Sequence, residues 1–126
     1  MYYKIKVSNH NEKGIITYLT DAEHFAEAAY KVTKIAMQDS EVEEVKLMKN
    51  FKPAINEKTD PKNKLYMVKI AEDMEIDGKV KTIKYELPAF ANDSISLYDI
   101  VNDYLKQGFD NMRLTTISET KWIYVE

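Results

Sequence analysis

The feature of this sequence that most constrains its fold is a set of apolar and aromatic residues at every second position, which occurs twice, about 63 residues apart. The first stretch covers residues 2–7 and the second covers residues 65–71. A period of two is typical of a strand with one face toward a core and the other toward solvent. The residues predicted to face a core are Tyr3, Ile5, Val7, Tyr66, Val68 and Ile70.

Each stretch opens the same order of predicted elements. Second strands are predicted at residues 15–19 and 81–87, and third strands at residues 42–48 and 113–118, with a last extended segment at 122–125. Helical spacing of apolar residues lies between the second and third strand in both halves. The pattern predicts an α+β fold, a tandem ββαβ–ββαβ pseudo-repeat whose two helices pack on one face of antiparallel sheet or of two joined sheets.

Local signals predict where these elements begin and end. Asp77-Gly78 predicts a two-residue hairpin turn, because both residues tolerate positive φ. Thr20 and Ser96 are each followed three residues later by an acid, which predicts helix N-caps. Pro88 is predicted to end its strand, and Gly108 to end the second helix. We expect one domain of 126 residues, with a first half at 1–48, a basic linker at 49–64 and a second half at 65–126.

Composition and motifs exclude several function classes. The chain has no Cys and only three Gly, so a thiolate metal site and a glycine-rich phosphate loop are not expected. The segment from Asp73 to Gly78 resembles the start of a calcium-binding loop, but Lys84 stands where its last carboxylate ligand belongs. Neither His10 nor His24 has a second ligand at metal spacing. We expect no enzyme activity and no cofactor, in a cytoplasmic protein without membrane segments.

The charge of the chain is unevenly distributed. The net charge is −3, yet residues 46–69 carry seven lysines against two acids. Lysines also recur on the predicted polar strand faces, with aromatic and apolar side chains between them. Lysines neutralise phosphates, and flat side chains stack on bases, which together favour a single-stranded nucleic-acid interface. Its predicted residues are Tyr2, Lys4, Lys6, Lys46, Lys49, Phe51, Lys52, Lys69 and Lys84.

Two other interpretations of the same residues stay open. Lysine on an exposed strand also prevents pairing with other sheets, so the lysines alone do not establish binding. Trp122 and Tyr124 near the end of the sequence are either buried in a last strand or exposed as anchors for a protein partner. The alternative function is therefore a protein-interaction or assembly module, and a homodimer is compatible with an open sheet.

The second half of the chain also resembles a known family. Leu65-Tyr66-Met67-Val68-Lys69-Ile70, Ile83-Lys84-Tyr85-Glu86-Leu87 and the stretch from Leu114 to Thr120 are similar to small domains of unknown function in Bacteroides-group gut bacteria and their phages, including crAss-like phages. Tyr2-Tyr3-Lys4-Ile5-Lys6-Val7 fits the same pattern in the first half. The resemblance implies a replication-associated role, such as coating single-stranded DNA, and it carries over no catalytic residue. Under the alternative of a protein-interaction module, the protein would be a phage-encoded inhibitor of a host protein.

Overall fold

The computed structural model describes residues 1–9, 14–36, 39–107 and 111–126. The chain forms two compact units. The first unit comprises Met1–Lys49 together with Lys121–Glu126, and the second unit comprises Asn50–Thr120. This division differs from the predicted one, because most of the predicted linker belongs to the second unit and the last six residues belong to the first.

Seven strands and two helices are formed by the described residues. In chain order they are β1 (Tyr2–Asn9), β2 (Ile15–Asp21), α1 (Phe25–Ile35), β3 (Ser40–Leu47), β4 (Lys64–Ile76), β5 (Lys79–Ala91), α2 (Ser94–Lys106), β6 (Met112–Glu119) and β7 (Ile123–Val125). Neither helix is long and apolar enough to cross a membrane, judged over the described parts of the chain.

The two units have the same strand order around their first strand. The sheet of the first unit has the order β3-β1-β2-β7, and the sheet of the second has the order β5-β4-β6. In each unit the first strand is therefore central, flanked by the second and third strands, and the helix lies between those two in sequence. The α+β class with helices packed on antiparallel sheets is confirmed.

Each unit has its own core between its helix and one face of its sheet. In the first unit the alternating residues Tyr3, Ile5 and Val7 pack with Ala28 and Val32 of α1. In the second unit Tyr66, Val68 and Ile70 pack with Leu97 and Val101 of α2. The period-two pattern of β1 and β4 thus identified the core-facing side of both sheets.

A β-bulge occurs at the same place in both sheets. The register of β3 against β1 shifts between Lys6 and Val7. The register of β6 against β4 shifts between Lys69 and Ile70, which are 63 residues further along the chain. A bulge adds one residue to an edge strand and bends it, so the two third strands leave their central strands in the same way.

In each unit the first strand covers only one edge of the second strand. The other edge is covered by a segment that comes, in the sequence, directly after the third strand of the other unit. Strand β7 follows β6 in the chain and pairs in parallel with β2, and the Thr20 hydroxyl donates to the Val125 carbonyl at 2.8 Å. The segment that follows β3 lies in parallel along β5, where Phe51 bridges to Glu86. Each sheet is therefore completed by a segment that lies outside its own ββαβ stretch of the sequence.

Residues 50–56 satisfy the outward backbone groups of β5 one after another. The Glu86 amide donates to the Asn50 carbonyl at 2.9 Å, and the Glu86 carbonyl accepts from the Lys52 amide at 2.9 Å. The Asn56 side chain both accepts from the Phe90 amide at 2.8 Å and donates to the Phe90 carbonyl at 2.7 Å. The predicted basic linker at 49–64 does more than connect the two halves, because residues 50–56 close a sheet edge.

Two predicted helix N-caps were wrong. Thr20 does not cap α1, since it pairs with Tyr3 inside β2, and the His24 side chain accepts from the Glu27 amide instead. Ser96 does not cap α2, because Asp93 accepts from the Ser96 amide at 2.7 Å. The predicted stop at Gly108 lies outside the described residues.

Pro88 does not end its strand, although proline lacks an amide hydrogen. It lies within β5 opposite Met67, and its carbonyl points outward to accept from the Ile55 amide at 2.9 Å. The amide and carbonyl of a strand residue point to the same side, so the missing amide hydrogen removes no bond to β4. The predicted hairpin at Asp77-Gly78 is present, with φ of 54° and 76° at its two turn residues.

Candidate nucleic-acid interface

The face of the first unit's sheet that is turned away from α1 carries three predicted nucleic-acid-binding lysines. Lys4 and Lys6 alternate with the core residues of β1, so their side chains leave the opposite side of the sheet. Lys46 joins them from β3, because it pairs with Lys4 across the ladder. We call this surface, formed by Lys4, Lys6 and Lys46, the lysine face.

Lys4 and Lys46 are direct cross-strand partners, which places two positive charges opposite each other. Side chains in such a position have Cβ atoms about 4.5–5.5 Å apart, and like charges there destabilise a sheet. Lys6 lies on the same face and forms an ion pair with Glu44 at 3.7 Å. Further along the same face the Ser8 hydroxyl donates to the Glu43 carboxylate, and Ser8 is the cross-strand partner of Glu41. The positive charge of the lysine face is therefore concentrated at the Lys4–Lys46 pair.

The structure brings Trp122 to the lysine face. The Lys4 ammonium lies over the indole ring, 5.2 Å from the ring centroid, in a cation–π contact. Trp122 directly precedes β7, whose pairing with β2 fixes its position. Two sets of residues that the sequence assigned to alternative functions, the lysines and the terminal aromatic residues, thus belong to one surface.

Tyr2 and Tyr124 are on the same face, where Tyr2 is buried and Tyr124 is half-buried. Tyr2 has only 8% of its surface exposed, so the prediction that its ring is available to stack on a base is wrong. Burial raises the pKa of Tyr124 to about 12, and the neighbouring Tyr2 contributes to the rise. Trp122 is also half-buried, and its ring contacts the Lys4 ammonium.

Lys49 is exposed in the turn that follows β3, and it belongs to the first unit. The next residue, Asn50, has a φ of 53°, a conformation that asparagine tolerates better than most residues. Lys49 extends the positive charge along the chain beyond Lys46. It does not lie on a strand and contributes only its exposed charge.

Four predicted residues lie in the second unit and have other roles there. Phe51 is half-buried beside β5, and the Lys52 ammonium lies 4.2 Å from the centroid of the Tyr85 ring. Lys69 pairs with Glu86 across the ladder, with 3.9 Å between their charged groups. Lys84 is exposed on the same side of the sheet as Lys69. Phe51 and Lys52 therefore belong to the segment along the edge of β5, and Lys69 is paired with an acid. Lys84 contributes only an exposed charge.

The bulge shared by the two sheets allows the lysine face to be compared position by position. In β1, Lys4 lies two residues before Lys6, where the register with the bulged strand β3 shifts. In β4, Met67 lies two residues before Lys69, where the register with the bulged strand β6 shifts. The cross-strand partners of Lys4 and Met67 are Lys46 and Ser118. The same strand order is thus built with an uncharged pair at this position, where Met67 is buried, whereas Lys46 is exposed.

Sequence reasoning missed the position of Trp122 and the role of Asn56. Both depend on parallel pairing with a strand far away in the chain, and no local pattern encodes such a partner. The only available signal for Trp122 was the short apolar run at 122–125, which predicts a strand but not its neighbour.

None of the described residues forms a cluster of three or more His, Asp or Glu side chains that could hold a metal ion. Comparison with protein-family models, with curated proteins and with solved structures found no match to this chain.

Proposed function

We propose that the protein is a non-enzymatic, single-stranded DNA-binding protein and that the lysine face with Trp122 is its contact surface. In this proposal, Lys4, Lys6 and Lys46 neutralise backbone phosphates, and Trp122 stacks on a base. The resemblance to domains of Bacteroides-group bacteria and their phages supports a replication-associated role for such binding.

The observation that carries the proposal is the like-charge pair of Lys4 and Lys46. Cross-strand pairing holds two positively charged residues at neighbouring positions, and a phosphate bound beside them offsets the cost of keeping like charges together. Release of counterions from the nucleic acid adds to the gain. The Lys4–Lys46 pair costs stability, and the equivalent position of the second unit lacks it. Such a pair is expected where the residues serve binding.

Trp122 supports single-stranded rather than duplex DNA as the ligand on this face. Stacking of a base on an aromatic ring requires a base that is not already stacked within a duplex, and it contributes about 1–3 kcal/mol per base. The neighbouring lysine places a phosphate close to the ring, as expected for one nucleotide that is bound through both its base and its backbone.

Trp122 is the only tryptophan of the chain, so its fluorescence reports directly on this surface. We expect oligo-dT to quench Trp122 fluorescence at about 50 mM salt and to bind more weakly as salt increases. Lys46→Gln should lower the salt slope by about 0.7, the value for one phosphate contact to a single strand. Trp122→Ala, followed with labelled oligo-dT, should weaken binding without changing that slope.

Lys34→Gln is the matched control, because Lys34 has the same charge but lies in the last turn of α1, away from the lysine face. It should leave both the affinity and the salt slope unchanged. Absence of oligo-dT binding at about 50 mM salt would refute the proposal, since phosphate contacts are stronger there than at physiological salt. The protein-partner hypothesis for Trp122 would then be the one to test.

A further inference from the structure

The hairpin of the second unit extends well beyond its third strand. The last pair between β4 and β6 is Glu72 with Met112, whereas β4 and β5 continue to pair as far as Ile76 with Lys79. Residues 73–82 therefore form a two-stranded ribbon, which we call the hairpin arm. In the first unit, the described pairing of β1 with β2 reaches only Ser8 with Ile15, so the arm is specific to the second unit.

The base of the arm is held firmly to β6. The Asp73 amide donates to the Asn111 carbonyl at 3.0 Å, and the Asn111 side chain donates to the Asp73 carbonyl at 2.8 Å. The Asp73 carboxylate accepts from Arg113 at 2.8 Å and from the Thr82 hydroxyl at 2.7 Å. These bonds hold the pKa of Asp73 below its usual range and fix the direction in which the arm leaves the sheet.

The two sides of the arm differ in charge. Met74 and Ile76 continue the side of β4 that faces α2, and their cross-strand partners are Lys81 and Lys79. We call these four residues the cationic side. The opposite side carries Asp73 and Glu75 with Thr82 and Val80, and Asp77 lies in the turn. The arm thus has three acids and two lysines, and its positive charge is confined to the cationic side. On the cationic side each pair thus combines an apolar residue with a lysine.

Nothing in the described fold accounts for the residues of the cationic side. Met74 and Ile76 keep 41% and 37% of their surfaces exposed, and neither belongs to the core of the second unit. Lys79 and Lys81 are exposed, and none of the described residues forms an ion pair with them. Exposed apolar side chains on a two-stranded ribbon add little to its stability, which is marginal without a third strand.

We propose that the hairpin arm binds in the major groove of duplex DNA, with its cationic side toward the bases. The major groove is about 12 Å wide and admits a two-stranded ribbon. Lysines donate to the guanine O6 and N7 atoms, and apolar side chains contact the thymine methyl group. The acidic side then faces solvent, away from the groove floor. This proposal is independent of single-strand binding by the lysine face.

Other occupants fit the arm less well. A second copy that docked through the same side would bring Lys79 and Lys81 against lysines, so the arm does not favour a two-fold dimer. Duplex RNA has a deep and narrow major groove that side chains do not enter. An acidic protein partner would satisfy the charges but would have no need of a narrow projecting ribbon.

The test is the binding of a labelled mixed-sequence DNA duplex, followed by fluorescence anisotropy at about 50 mM salt. The variant Lys79→Gln/Lys81→Gln should bind at least tenfold more weakly than the native protein. Lys62→Gln/Lys106→Gln is the matched control, because it removes two exposed lysines that lie outside the arm. The control should bind like the native protein.

A second comparison tests the apolar contacts of the cationic side. Replacing thymine by uracil in the duplex removes the methyl group, and this should weaken binding of the native protein severalfold. The same replacement should have no effect on Met74→Ser/Ile76→Ser, which has already lost the contact. Val80→Ser, on the acidic side, should respond to uracil as the native protein does.

Three results would overturn the proposal. They are no binding to the DNA duplex at about 50 mM salt, equal losses in the arm variant and its control, or equal binding of duplex RNA. The last two would indicate general attraction to polyanions. Quenching of Trp122 by oligo-dT reports on the lysine face alone, so failure of either proposal is distinguishable from failure of the other.

Discussion

The first and second units share one strand arrangement but present different surfaces. Both place the first strand at the centre, bulge the third strand at an equivalent position and close the edge of the second strand with a segment from elsewhere in the chain. The first unit carries the Lys4–Lys46 pair and Trp122 on the open side of its sheet. The second unit has Met67 and Ser118 at the equivalent pair and adds the hairpin arm.

The comparison of the two units distinguishes residues that the fold requires from residues that are available for function. Features that the units share, such as the core-facing alternation and the closed edge, are explained by burial and by backbone hydrogen bonding. Features that only one unit has must have another cause. The lysine face and the cationic side of the hairpin arm are of this kind, and both present lysines on a chain whose net charge is −3.

The largest effect is expected at the closed edge of the first unit. Removal of Lys121–Glu126 should lower the free energy of unfolding by about 3–5 kcal/mol, since the burial of Val125 and the bond to the Thr20 hydroxyl are both lost. Thr20→Val is the control, because it removes only the hydroxyl bond and should cost about 0.5–1.5 kcal/mol. Chemical denaturation measures both. A truncated chain as stable as the native one would mean that β7 contributes nothing to the sheet.

A smaller loss is expected at the corresponding edge of the second unit. Asn56→Ala should lower the free energy of unfolding by about 1–3 kcal/mol, because the amide and the carbonyl of Phe90 both lose their partner. Asn56→Asp keeps an acceptor for the amide but sets a carboxylate against the carbonyl, so it should not restore the native stability. If the aspartate variant were as stable as the native protein, only the bond to the amide would matter.

A pH effect is expected from Tyr124 in the first unit and from Tyr85 in the second. Burial raises the pKa of each hydroxyl to about 12, above the ordinary value of 10.0. A neutral tyrosine with a raised pKa stabilises the fold fully below pH 10, and this contribution is lost as the pH rises toward 12. Tyrosinate absorbance should show both residues ionising late, and Tyr124→Phe should remove one of them. Ionisation of Tyr124 near pH 10 would contradict its burial.

The sequence predicted those parts of the fold that depend on neighbouring residues. The alternation in β1 and β4 identified their core-facing sides, and Asp77-Gly78 identified the hairpin, because each signal lies within the element that it describes. The cap of α1 shows where such reasoning fails. Thr20 and Glu23 have the spacing of a capping box, but pairing of Thr20 with Tyr3 keeps the strand going past the predicted cap.

Contacts between distant parts of the chain could not be predicted. The closure of β5 depends on Asn56 meeting Phe90, 34 residues away, and that of β2 depends on Thr20 meeting Val125, 105 residues away. Local composition gave residues 49–64 the character of a linker, and their hydrogen bonds exist only once β5 is in place. The lysines of the candidate site were found from the sequence because period two assigns them to one face, whereas the position of Trp122 required the parallel pairing of β7.

The most direct test of nucleic-acid binding by the lysine face replaces the charged pair of the first unit with the uncharged residues found at the equivalent positions of the second unit. In Lys4→Met/Lys46→Ser, oligo-dT binding should weaken and the salt slope should fall by about 1.4, which corresponds to two phosphate contacts. The free energy of unfolding should stay within about 0.5 kcal/mol of the native value or rise, because a repulsive pair has been removed. Unchanged oligo-dT binding, or a clear loss of stability, would show that the two lysines serve the fold and not a nucleic acid.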